Sequence, residues 1–299
     1  MGEIFALACA LVWAFAVIFF RKSGETVAPF SLNLFRVALS TALFLVTMVW
    51  LGRPLVIPVP VADYLILVVS GVIAIAISDT LFHMCLNRVG AGLNAIVSTL
   101  YSPFIILYAW LLLGERLGWN QFLGMVLIIS GVVVASITPL PRGVSRRDLV
   151  VGILLGVGSM ATLAFGIVLA KPVLERSDIL WATTVRQLGS LAVLLPAAIL
   201  WPGRRKRFQV FQPRSTWKFS LPGAFLGSYL ALMLWIGGMK YTSAGTAGIL
   251  NQTSTIHTLI LASLFLKEPF TRRKFMATVL ALLGILLVFG PNILGHSSN

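Results

Sequence analysis

Asp79 and His83 lie four residues apart in a largely apolar stretch, a spacing that puts a carboxylate and an imidazole on one helix face. Such a pair could pass a proton or meet a substrate amine; equally, it could be a hydrogen-bonded tie between helices. Arg36 and Arg186 are each embedded in apolar sequence. A guanidinium there could hold a substrate carboxylate through two parallel bonds, or reach back to the membrane interface from near a helix end. The densest polar sets are Asn94, Ser98 and Tyr101, at four- and three-residue spacing on one helix face, and Asn251 and Gln252 followed by His257. Groups of this kind line a wet cavity or bond one helix to another. Tyr229 and Trp235 are candidate aromatic walls, although interfacial belts use the same residue types. Glu115, Glu268 and Glu3 stand at the ends of apolar runs, where fixing loop geometry or simple solvation suffices as a role.

The elements that must position these residues follow from composition. The chain has 299 residues, 58% hydrophobic and 11% charged, with a mean hydropathy of +0.96. A soluble chain carries roughly 25% charged residues, so too little polar material is present to cover a soluble surface of this size. The net charge of +14 does not describe a nucleic-acid binder, because Lys and Arg fall between apolar runs rather than along one polar face. Cys9 and Cys85 lie inside apolar runs and form neither a disulfide framework nor a metal-spacing motif. No phosphate loop, His-Glu-x-x-His motif or nucleophile–base spacing occurs. The expectation is a protein that is not an enzyme and that uses no cofactor. No metal site is expected either, Asp79, His83 and His257 being the one ligand trio worth considering.

A spanning helix needs roughly 20 mostly apolar residues. Ten stretches qualify, near 3–20, 30–50, 63–86, 92–113, 119–137, 149–170, 179–201, 217–239, 244–266 and 274–290. The first is read as a retained span rather than a secretory leader, since Arg21 and Lys22 follow the apolar run and no basic residue precedes it. Loops after odd-numbered spans carry sixteen Lys and Arg, and loops after even-numbered spans carry five. The positive-inside rule then places the odd loops in the cytoplasm and both termini outside a cell membrane crossed many times.

The chain also repeats itself. An offset of 153 pairs Ala91 with Ala244, Gly92 with Gly245, Ala109 with Ala262, Leu113 with Leu266, Glu115 with Glu268 and Gly131 with Gly284. Earlier in each half, an offset of 150 pairs Arg21 with Lys171, Arg36 with Arg186 and Ser40 with Ser190. Each unit, 1–140 and 148–292, holds five spans. An odd number forces the second unit to enter the membrane the opposite way round. Inverted repeats place a substrate site near the midplane between halves, exposed alternately to each side as the halves rock. Gly152 and Gly156, spaced Gly-x-x-x-Gly, predict close helix packing in the sixth span and only weakly suggest dimerisation, so a monomer is favoured.

Two segments carry a wider resemblance. The first reads Leu-Asn-Arg-Val-Gly-Ala-Gly-Leu-Asn-Ala-Ile, then Tyr-Ser-Pro-Phe and Leu-Leu-Leu-Gly-Glu-Arg-Leu. The second reads Met-Lys-Tyr-Thr-Ser-Ala-Gly-Thr-Ala, then Leu-Phe-Leu-Lys-Glu-Pro-Phe. Both resemble the EamA-type repeat of the drug/metabolite transporter superfamily, a pattern that Trp13, Arg36 and Arg186 also fit. The resemblance covers the whole chain. It implies an all-α protein of ten transmembrane helices, a central cavity, and export or exchange of metabolites such as amino acids or nucleosides. Pro103 pairs with Ile256, where that pattern usually has proline, so a symmetric proline hinge is not expected. The partners expected are a small solute, the lipid bilayer and, if Asp79 and His83 couple transport, protons. A proton- or cation-linked metal or drug carrier, a channel and a scaffold remain as alternatives.

Overall fold

The computed structural model describes residues 1–137, 145–200, 202–213, 215–241 and 250–294, with backbone alone for 239, 240 and 289–294. Among the described residues the chain is all helical, without a strand. In chain order the helices are α1 (Gly2–Ser23), α2 (Pro29–Trp50), α3 (Val61–Gly71), α4 (Ser78–Ser98), α5 (Tyr101–Leu113), α6 (Trp119–Ser136), α7 (Arg146–Arg176), α8 (Ile179–Leu200), the short α9 (Arg204–Phe208), α10 (Trp217–Phe225), α11 (Ala231–Tyr241), α12 (Ser254–Leu266) and α13 (Arg272–Leu294). Seven of the described helical stretches are long and apolar enough to cross a membrane; α5 is a shorter apolar helix. Large apolar side chains such as Trp50, Trp119, Leu154, Leu200 and Leu264 stand exposed on the outer surface. That distribution suits lipid as the surrounding solvent, and the chain is a multi-pass membrane protein.

Local chemistry sets several helix ends. Pro29 opens α2, where its missing N–H is not needed. The Ser145 hydroxyl accepts the Asp148 N–H at 3.0 Å and starts α7. Helices α5 and α12 both end on a left-handed residue, Gly114 (φ 67°) and Lys267 (φ 55°). Subtracting 114 from 267 gives 153, the offset of the sequence repeat.

Three departures from the sequence expectation concern continuity. Helix α4 runs from what was expected as the third span into the fourth, across Gly90, whose φ of 82° and ψ of 172° break its course. The chain turns again at Thr99 and Leu100 before α5, so Asn94, Ser98 and Tyr101 do not share one unbroken helix face. A matching turn at Thr253 separates Asn251 and Gln252 from His257. Both turns carry the same side-chain bond. The Thr99 hydroxyl donates to the Ile96 carbonyl at 2.7 Å, and the Thr253 hydroxyl donates to the Leu250 carbonyl at 2.6 Å. Each threonine takes a carbonyl three residues back and competes with the regular helical bond. Proline is not required for the second turn, since Ile256 stands where Pro103 stands in the first half. The segment 242–249, which holds Ala244 and Gly245 of the repeat, lies outside the described residues, as does the segment 138–144.

Helices approach closely where side chains are small, the usual packing device in lipid. A Cβ on Gly124 would stand 2.6 Å from the Gly284 carbonyl, and one on Gly284 would stand 2.6 Å from the Gly124 carbonyl, so α6 and α13 cross backbone to backbone. Gly152 and Gly156 do pack closely, against Val89 and Val97 of α4 within the same chain. Ser78 and Ser159 exchange hydroxyl-to-carbonyl bonds of 2.8 and 2.9 Å across that same contact. Two π-helical turns, Val72–Ile77 after α3 and Leu226–Leu230 after α10, widen the helices at positions offset by 154 (226 less 72). Such turns gather at functional sites.

Candidate functional site

The helices enclose a cavity of about 350 Å³, within the usual range for small-molecule sites. Its polar lining includes Arg36, Asp79, Asn94, Ser98, Tyr101, Arg186, Asn251 and Gln252, and its aromatic lining includes Trp13, Phe82 and Trp235. Nine of the twelve residues singled out from sequence therefore meet in one place, including side chains some 200 positions apart.

Arg36 is 5% exposed. Its Nη1 stands 3.0 Å from Asp79 Oδ2 and 3.4 Å from His83 Nε2. Its Nε donates to Ser228 Oγ at 2.7 Å, and the guanidinium lies 5.4 Å from the centre of the Phe20 ring. Arg36 thus sits between Asp79 and His83, and a second-half serine fixes its plane. Arg186 is 9% exposed, and its Nε donates to Ser70 Oγ at 3.0 Å. The Ser70 hydroxyl in turn donates to the Gly166 carbonyl at 2.7 Å. Each arginine is therefore clamped by a serine from the other half, one turn away from or inside a π-helical turn. Reaching back to the interface is not what either arginine does; both are buried, where a cation needs fixed partners.

Helix α8 can bring Arg186 to this depth because α3 yields space. A Cβ on Gly71 would fall 2.0 Å from the Arg186 carbonyl oxygen, so only glycine admits the backbone there. Several cavity-lining amides have unmet atoms: Asn94 Nδ2, Gln187 Oε1 and Asn251 Oδ1 are buried without a hydrogen-bond partner among the described residues. Amide groups of this kind can bond a solute or water.

Three expected residues do not line the cavity. His83 is 1% exposed and packs edge-on against Phe20 at 4.9 Å and Phe82 at 5.5 Å, behind Arg36. The Tyr229 hydroxyl bonds Thr47 Oγ1 at 2.6 Å, and its ring packs on Phe44, in a separate apolar cluster. His257 lies beyond the Thr253 turn, which rotates it away from Asn251 and Gln252. The trio of Asp79, His83 and His257 does not assemble, and among the described residues no three His, Cys, Asp or Glu side chains gather to hold a metal ion. Sequence reasoning overlooked Gln187, Ser70 and Ser228. Gln187 was legible as an amide in an apolar run beside Arg186, whereas the two serines carried no signal before the helices were placed.

Both ends of the bundle carry charged ties. The Glu268 carboxylate accepts the Ala91 N–H at 2.7 Å and the Gly92 N–H at 3.0 Å, with Lys274 Nζ 3.6 Å away. Glu115, its repeat counterpart, pairs with Lys171 at 2.6 Å. Near that pair Arg176 meets Asp63, and Arg53 meets Asp178.

Comparison with known proteins places this architecture. A protein of Archaeoglobus fulgidus named as an uncharacterized transporter is 24% identical over 288 residues, covering 96% of this chain and 98% of that protein. The uncharacterized transporter YvbV of Bacillus subtilis is 26% identical over 227 residues, 75% of this chain and 71% of the relative. A solved crystal structure superposes with a TM-score of 0.69 at 16% identity, covering 100% of this chain and 99% of the other, which shows the fold. The sequence profile of the EamA-like transporter family matches residues 1–137 and 150–290. Buried arginines around a central cavity, apolar helices throughout and a match over both segments lead to one assignment: the chain belongs to the EamA-like transporter family, as a membrane transporter and not an enzyme.

Proposed function

We propose that the chain is a secondary transporter, working as an exporter of a small organic metabolite by alternating access at the cavity described above. The observation that carries this reading is the reciprocal clamp of Arg36 on Ser228 and Arg186 on Ser70, which draws both halves of the chain onto one buried site. The underlying architecture is ten spans in two inverted units, 1–140 and 148–292. In support, contacts recur in exchanged pairs: α1 packs on α10 and α11 as α7 packs on α3 and α4, and α1 packs on α12 as α7 packs on α5. Helix α2 meets its own counterpart α8, and α6 meets α13, as a two-fold axis in the membrane plane requires. The loop charge bias supports a plasma-membrane location with the odd loops inside. Asp79 and His83, flanking Arg36, are the proton-coupling candidates.

The test is solute uptake into proteoliposomes, screened over amino acids, nucleosides, organic acids and amines, with and without a pH gradient. Saturable, competable uptake of one class establishes a carrier, and gradient dependence separates coupling from exchange. Flux that never saturates marks a channel instead. Absence of flux for every solute, by protein shown to be folded, overturns the transporter reading.

A further inference from the structure

The two buried arginines are not equivalent, and their difference identifies a substrate class. Arg36 is neutralised: Asp79 stands 3.0 Å from Nη1, and Nε is taken by Ser228. Among the described residues Arg186 has only its Nε hydrogen-bonded, by the neutral Ser70 hydroxyl, and no carboxylate lies within ion-pair distance of it; Asp79, already paired with Arg36, acts on it only at longer range. The reason is in the sequence. The repeat offset of 153 pairs Asp79 with Leu232, which lines the same cavity, and the offset of 154 that relates the π-helical turns pairs it with Met233; neither is a carboxylate. The second half lacks the carboxylate that balances the first. Among the described residues the charged side chains lining the cavity are Arg36, Asp79 and Arg186, so this part of its wall holds one positive charge in excess.

An uncompensated cation at this depth is unfavourable unless something pairs with it. The terminal guanidinium nitrogens, their plane set by Ser70, present a planar fork that matches a carboxylate through two parallel bonds. The same cavity has an apolar and aromatic part to its wall, with Trp13, Phe82, Leu163 and Trp235. We propose that Arg186 is the anion anchor of the site and that the substrate is a monoanionic organic acid, its carboxylate on Arg186 and its apolar body among these side chains. This rests on the transporter reading and narrows it: cationic drugs and uncharged nucleosides would leave Arg186 unpaired.

Three probes of one shape and different charge test the proposal: indole-3-acetate, indole-3-acetamide and tryptamine. Each is titrated against the purified full-length chain in detergent, reading the rise in thermal midpoint, which a ligand specific to the folded state produces by mass action. A set of smaller acids, lactate and benzoate, with lactamide and benzylamine as their partners, covers other body sizes. The acids should stabilise the chain and the amides and amines should not. Arg186→Gln should raise the half-saturating acid concentration about ten- to hundredfold, with Arg186→Lys in between because a point charge replaces the fork. Leu232→Asp, which supplies the missing carboxylate and leaves Arg186 in place, should abolish acid binding, while Leu232→Asn, of the same size and uncharged, should weaken it far less. Size-exclusion profiles confirm that each variant is folded. Stabilisation by amides or amines equal to that by acids, no stabilisation by any acid, or unaltered acid binding in Leu232→Asp overturns the proposal. Saturable flux of a neutral or cationic solute would sink this inference and keep the transporter reading, whereas absence of all flux would sink that reading itself.

Discussion

Glu268 caps the helical segment that begins at Ala91: one carboxylate oxygen accepts the Ala91 N–H at 2.7 Å and the other accepts the Gly92 N–H at 3.0 Å. Gly90, with its φ of 82°, frees those donors by breaking α4, and a carboxylate at a helix start is favoured by the helix dipole as well as by the bonds. Because residue 91 falls in the first segment matched to the family and residue 268 in the second, this tie must open if those segments separate on that side. Glu268→Gln should lower stability by about 1–2 kcal/mol and also speed alkylation of the cavity-lining Cys9 by a membrane-impermeant maleimide, in a Cys85→Ala background. A stability loss without faster alkylation would make Glu268 a local cap and nothing more.

The left-handed C-caps give a second prediction. Gly114 closes α5 and Lys267 closes α12 at matching repeat positions, yet only glycine adopts φ near 60° without steric conflict. Lys267 is exposed. Lys267→Gly should therefore stabilise the protein by about 0.5–1 kcal/mol, seen as a higher thermal midpoint in detergent. A lower midpoint would mean that the lysine side chain contributes more than its backbone strain removes.

Gly71 provides the opposite case. A methyl group there meets the Arg186 backbone carbonyl at 2.0 Å, which no side-chain rotation can relieve. Gly71→Ala should destabilise by about 1–3 kcal/mol and displace Arg186 from the cavity, removing transport. Gly158→Ala, whose nearest neighbour would be Leu81 Cδ1 at 3.7 Å, should instead stabilise α7 by about 0.5–1 kcal/mol. Paired unfolding curves and uptake rates read both effects, and equal outcomes at the two glycines would refute the packing argument.

How far the sequence foretold this arrangement depends on the kind of signal. Apolar runs and the offset of 150 identified Arg36 and Arg186 as a pair, because helix length and duplication leave one-dimensional traces. The burial of both arginines was not legible, since snorkelling and clamping differ only in what the opposite half presents, here Ser228 and Ser70. Spacing alone put Asn94, Ser98 and Tyr101 on one face, and the Thr99 turn broke that face while still delivering all three to the cavity. His257 failed for the same reason after Thr253. A threonine bonding back to its own helix is invisible in hydropathy, which weighs the residue type and not the direction of its hydroxyl. His83 and Tyr229 carried the right chemistry but were claimed by Arg36 and Thr47 on the far side of the wall.

Asp79 is the residue on which binding and coupling separate most cleanly. Its side chain is 15% exposed and that of Arg36 is 6%, so the pair is buried enough that removing one partner should destabilise by about 3–5 kcal/mol. Asp79→Asn should therefore lower the thermal midpoint, and the double change Arg36→Met with Asp79→Leu should recover much of it, as an apolar pair replaces a desolvated ionic one. The same Asp79→Asn variant raises the positive excess of the cavity wall from one charge to two, so a dicarboxylate such as succinate should compete better with a monocarboxylate than it does in the unaltered chain. If Asp79 also carries the coupling proton, pH-driven accumulation should vanish in this variant while solute exchange across proteoliposomes persists. Accumulation that still follows the pH gradient would take Asp79 out of coupling and leave it as the counter-ion that fixes Arg36.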